Sequence, residues 1–198
     1  MKKYQDDQAW KEPIREYLGT KGLTLDDYGA SKELLYRHNV GSGGATEKAL
    51  LDAWDSDSGS GKALRAMSEW QEWQVKNVQK PPPHSSEWVK IAETSPNWKG
   101  MQGGHLFENR ADFVNFTKDR AAGKTVFYRK GGLNREVIST TGHSGGAKSG
   151  SSHFKPDRAF TFDQMKSEGY HLVSGARGMV GVTSDAEGEY IWLRPRKR

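Results

Sequence analysis

The chain has 198 residues, 34% of them hydrophobic, a mean hydropathy of -0.86, a formal charge of +5 and no cysteine. The length suffices for a real core, much of it resting on seven Trp, seven Tyr and seven Phe. The missing cysteines exclude disulfides, thiolate nucleophiles and cysteine zinc sites, and no stretch approaches the roughly 20 apolar residues that span a bilayer.

Charge is unevenly placed. Lys and Arg against Asp and Glu number 14 to 15 in residues 1–99 and 16 to 10 in residues 100–198. A basic second half suits an anionic partner, and a solvated basic surface is the plainer reading. The start "MKKYQDDQAW" lacks the apolar core of a signal peptide, so the expectation is a soluble protein that works in the cytoplasm or is delivered into a target cell.

Residues 1–80 read as a polar helical segment. Trp10, Ile14 and Leu18 fall at i, i+4 and i+8, and "GTKG" ends that helix. Thr24 caps a second helix, and two more flank "DSDSGSG". The capping-box pattern is met only loosely, at "SEWQ". Trp70 and Trp73, three apart on one helical face, read as core or interface. Residues 81–86 form a Pro-rich linker, because "PPP" cannot continue a helix. Residues 87–198 then read as an α+β domain: helices in "SSEWVKIAE" and "NRADFVNFTKDRAAG", followed by short strands in "KTVFYRK", "REVISTT", "AFTF", "YHLVSG", "GMVGVTS" and "EYIWLRP". The fold class expected is α+β, an N-terminal helical segment followed by a mainly β C-terminal domain with flanking helices.

Three pieces of the second half fall in a suggestive order. Arg129 ends "VFYR", Ser139, Thr140 and Thr141 end a strand, and Glu187 and Glu189 stand one residue apart before "YIWL". Positions i and i+2 of an extended segment share a face, so both carboxylates would enter one space. Here the chain resembles the mono-ADP-ribosyltransferases of the Arg, Ser-Thr-Ser, Glu-x-Glu class, over residues 105–198, with "STT" departing from Ser-Thr-Ser at its last position. That resemblance implies NAD as substrate and transfer of ADP-ribose to a protein or nucleic-acid acceptor. It implies Glu189 as the catalytic carboxylate, Glu187 as the group that orients or deprotonates the acceptor, and Ser139 as a brace for Glu189. Arg129 would hold the NAD phosphates, with Arg110 and Arg120 as alternatives, and Thr140 and Thr141 would complete the cofactor-binding motif. Cleaving the nicotinamide–ribose bond develops positive charge on the sugar, which a carboxylate stabilises. The plain alternative for "EGE" is a solvated hairpin turn, and for Arg129 an exposed strand residue.

Other readings compete. "GHSGG" fits a nucleophile elbow at Ser144, with Asp157 or Asp163 and His171 to complete a triad, but "GGAKSGSSHF" is a poor helix to follow it; an anion-binding loop with Lys148 suits the segment better. His105, Arg129, Thr140 and Lys155 would serve a barnase-like toxin ribonuclease. "VFYRK" and "YIWLRPRKR" suit a nucleic-acid-binding protein without catalysis. No metal is expected: no His pair has the i, i+4 spacing of a helical site, although His143 and His153 could meet across a loop. The helical segment is free to dock a partner.

Overall fold

The computed structural model describes residues 11–39, 44–77, 85–142, 155–175 and 189–197. Among them are seven α-helices and one five-stranded sheet, an α+β fold. The first four helices are α1 (Lys11–Thr20), α2 (Leu25–Asn39), α3 (Gly44–Asp55) and α4 (Gly59–Asn77). Ile14 and Leu18 are buried on α1 as their spacing predicts, while Trp10 lies outside the described residues. Thr24 caps α2: its hydroxyl accepts from Asp27 N at 3.2 Å, and Asp27 Oδ2 accepts from Thr24 N at 2.8 Å. "SEWQ" falls inside α4 and caps nothing. Trp70 is partly buried, whereas Trp73 is 58% exposed.

Residues 81–84 of the proline-rich joint lie outside the described residues, and α5 (Ser85–Thr94) begins just after them. Two 3-10 turns, Trp98–Gly100 and Gly104–Leu106, lead to α6 (Arg110–Ala121), capped by Asn109. The strands are β1 (Val126–Arg129), β2 (Val137–Thr141), β3 (Arg158–Thr161), β4 (His171–Ser174) and β5 (Glu189–Leu193), with α7 (Phe162–Ser167) between β3 and β4. The strand expected in "GMVGVTS" falls outside the described residues. The short α7 has a full capping box, Thr161 with Gln164, a Thr-x-x-Gln signature present in the sequence but obscured by the strand-like "AFTF" before it.

The sheet order is β3-β1-β2-β5-β4, with every neighbouring pair antiparallel. Period-2 alternation gives it two apolar faces. On one face Val137, Val173, Ile191 and Leu193 pack with Leu35, Leu50, Leu51 and Leu64, so the helices before the proline-rich joint share a core with strands after it. The same face, under β1 and β3, packs Val126, Tyr128 and Ala159 against Phe113 and Phe116 of α6. The opposite face buries Phe127, Ile138, Leu172 and Trp192 under Phe162, Met165 and Tyr170. There Trp192, fully buried, donates its indole N–H to Thr140 Oγ1 at 3.0 Å and meets Phe127 edge-on.

The edge strand β4 is covered by side chains of α4. Gln71 Nε2 donates to the Val173 carbonyl at 2.8 Å, and Glu72 Oε1 accepts from Leu172 N at 3.1 Å. Backbone groups that would otherwise template a foreign strand are thereby occupied. Glu72 also receives Lys166 Nζ at 2.8 Å, Lys166 lies 3.1 Å from His171 Nδ1, and the Trp54 ring of α3 packs at a tilt against the His171 ring, 4.7 Å between centres. A second histidine, His38, lies 3.7 Å from Glu47, which also pairs with Arg135 of the β1–β2 connection.

Two outcomes follow. Thr140→Val keeps the shape but leaves a buried indole N–H unpaired, and should lower unfolding free energy by about 1–3 kcal/mol in a denaturant titration. Burial holds both His38 and His171 below the ordinary histidine value, with Arg135 and Lys166 adding to the effect and Glu47 and Glu72 opposing it. Because the folded values are depressed, the unfolded chain protonates first. Stability should be full above about pH 6.5 and fall as the pH drops through the folded values. The denaturation midpoint should therefore decrease between pH 7.5 and 5.5, and decrease less in a His38→Gln, His171→Gln double variant.

Candidate active site

The β2–β5 ladder builds the site. Its register sets Thr141 opposite Glu189, Thr140 opposite Tyr190 and Ser139 opposite Ile191. Directly opposed side chains on an antiparallel pair stand about 4.5–5.5 Å apart at Cβ, and diagonal ones roughly 7–8 Å. Thr141 and, one diagonal away, Ser139 therefore share a face with Glu189, within reach of its side chain. β1 extends the row, because Tyr128 is opposite Thr141. Tyr128, Thr141 and Glu189 thus lie across three adjacent strands.

Ser139, Thr141 and Glu189 belong to neither of the two apolar clusters that flank them on this face, the one under α2, α3 and α4 or the one under α6. Glu189 is half-buried, with its Oε2 atom fully enclosed. Its backbone is fixed from behind. Gly175, just past β4, has φ +119°, and a Cβ there would lie 2.8 Å from the Tyr190 Cα and press on the Glu189 carbonyl. Only glycine fits both the conformation and the gap.

Arg129 and Thr140 lie on the other side of the sheet. Alternation carries Arg129 to the Phe127 face, where it donates from Nε to the Gly132 carbonyl at 3.2 Å and from Nη1 to the Ser139 carbonyl at 2.8 Å. Burial lowers its pKa, and Tyr170 and Asp157 partly offset this. Thr140 spends its hydroxyl on Trp192. Of the alternative arginines, Arg110 donates to the Ser95 carbonyl. Arg120 lies over the rings of Trp88 and Phe116, 5.3 and 5.7 Å from their centres, and acts electrostatically on Tyr128, whose hydroxyl pKa is raised chiefly by burial. Arg120 belongs to α6, on the same face as Glu189. Glu187, Ser144, His143, Lys148 and His153 lie outside the described residues.

The partners drawn for other chemistries are differently employed. Asp157 accepts from Gly131 N at 2.8 Å, and His171 faces Lys166 and Glu72. His105 is exposed on its 3-10 turn beside the α6 cluster, while Thr140 and Arg129 face the opposite side of the sheet. A cavity of about 90 Å³, lined by Val75, Lys76, Asp119, Lys124, Phe162 and Asp163, is well short of the roughly 300 Å³ at which ligand pockets begin. Among the described residues no group of three His, Asp or Glu side chains is placed to hold a metal ion, and no helix is long and apolar enough to cross a membrane.

Sequence reasoning passed over Tyr128 and Gly175. Period-2 geometry, which turns Tyr128 away from the Phe127 and Arg129 face, was the available signal for Tyr128; for Gly175, one glycine among 23, there was none. Comparison with protein-family models, curated proteins and solved structures gave no match.

Proposed function

We propose that this chain is an ADP-ribosyltransferase-like enzyme that moves ADP-ribose from NAD to a macromolecular acceptor. The observation that carries the reading is the β2–β5 register, which aligns the Ser139 and Thr141 hydroxyls with the half-buried Glu189 on one face of the sheet. Three residues drawn together by order in the sequence are drawn together again by strand pairing, although 47 residues separate Thr141 from Glu189 in steps along the chain once the intervening 142–188 are counted.

In this reading the bond between nicotinamide and the ribose C1′ breaks, its electron pair leaving with nicotinamide. Glu189 stabilises the positive charge that develops on the sugar, and Ser139 and Thr141 hold the carboxylate and the ribose hydroxyls. The acceptor nucleophile bonds to C1′, and its proton passes to Glu187. The phosphate-holding role goes to Arg120 rather than Arg129, because Arg120 rises from the helix on the Glu189 face and Arg129 is committed to two carbonyls on the other.

The test is release of nicotinamide from NAD by the purified chain in a lysate of its own host. Glu189→Gln keeps the shape and removes the charge, so turnover should fall about 10²–10³-fold, the scale of losing one transition-state stabiliser. Equal turnover in both forms, or none in the wild type, would reject the reading.

A further inference from the structure

The β1–β3 side of the sheet carries charge that the proposed chemistry does not use. β1 finishes and β3 begins there, and their register sets Arg129 directly opposite Arg158. Like charges so opposed on neighbouring strands destabilise the pair. Lys130 follows Arg129, Lys155 stands three residues before Arg158, and the Asp157 N–H donates to the Arg129 carbonyl at 3.1 Å, which ties the two segments together. Four cations thus gather around one junction.

Among the described residues the one acid at this junction is Asp157, and its Oδ1 accepts from the Gly131 N–H at 2.8 Å. Lys130, Lys155 and Arg158 are all exposed, and none forms an ion pair with a described residue. Arg129 meets carbonyl dipoles, which satisfy its N–H groups without cancelling its charge. The basic strip continues to β5, where Arg194 lies 4.8 Å from the centre of the Tyr170 ring. Neighbouring strands are about 4.8 Å apart and strand residues rise about 3.3 Å, so from Arg158 to Arg194, three strands across and four residues along, the strip is roughly 20 Å long. Exposed cations spread over that distance fit successive phosphates of one strand better than a single enclosed anion.

We infer that the exposed cations Lys130, Lys155 and Arg158, grouped around the β1–β3 junction beside Arg129, form a docking surface for the phosphate backbone of a nucleic-acid strand. The inference is independent of the chemistry assigned to Glu189, whose side chain is on the other face of the sheet from those of Arg129 and Arg158. It also gives the basic surplus of the second half of the chain a location. Contacts of this kind are electrostatic and sequence-tolerant, and each neutralised phosphate releases counterions, so affinity falls steeply with salt.

The experiment is fluorescence anisotropy of a labelled 20-nucleotide single-stranded RNA, and of DNA of the same sequence, from 50 to 200 mM salt. The wild type is compared with a Lys130→Gln, Lys155→Gln, Arg158→Gln triple variant. These exposed side chains form no ion pair with a described residue, and a thermal midpoint no lower than that of the wild type verifies that the fold is kept. Affinity for either strand should drop at least tenfold in the variant, and the slope of log K against log salt should become shallower by about 2, at roughly 0.7 per phosphate. A variant with unchanged affinity and slope overturns the inference. So does competition by polyglutamate as effective as that by unlabelled oligonucleotide at equal charge concentration, which would make the strip a general polyanion surface.

Discussion

The hydrogen bond from the Trp192 indole to Thr140 is the contact on which the arrangement of the sheet turns. A buried indole N–H needs a partner, and the Thr140 hydroxyl is on the neighbouring strand, one diagonal step away on the same face. A slip of one residue between β2 and β5 would turn Trp192 out of its core and carry Glu189 to the opposite face. The interaction that stabilises the centre of the molecule is therefore also the one that decides where the carboxylate points. Ser139 and Thr141 flank Thr140 in sequence and project the other way, so one three-residue run serves the core with its middle member and the candidate site with its outer two.

Around that lock the helical layer has a specific task. α4 lies along the edge of β4, with Gln71 and Glu72 taking backbone groups of the strand, and Glu72 drawing Lys166 and His171 into one polar cluster. β4 then ends at Gly175, against the backbone of Glu189 and Tyr190. A physical chain of contacts thus runs from the N-terminal helices through the edge strand to the start of β5. It gives residues before the proline-rich joint a part in positioning a residue near the other terminus.

Much of this was legible in the sequence where local signals and tertiary packing agree. The Ile14 and Leu18 spacing, the Thr24 cap and the β-rich runs "REVISTT" and "EYIWL" each gave an element the structure contains. The α7 helix was obscured because it begins immediately after a strand, with Thr161 serving as both the last strand residue and the cap. The period-2 geometry that pairs Glu187 with Glu189 also fixes the orientation of Arg129 and Thr140. A motif taken as a block of adjacent residues hides the fact that neighbours on a strand face opposite ways. The cation cluster at the β1–β3 junction was visible only as a regional charge excess, since Arg129 and Arg158 are brought together by a strand pairing that no local pattern announces.

The central claim is that one face of the β2–β5 ladder, and not the other, receives NAD. Thr140 and Thr141 are adjacent, both buried, and on opposite faces, so their methyl groups report on the two sides separately. The most direct measurement is an NMR titration of methyl-labelled threonine in the full chain with NAD. The account predicts a saturable shift of the Thr141 methyl with the Thr140 methyl nearly still. A shift centred on Thr140, or no shift at either residue, would contradict it.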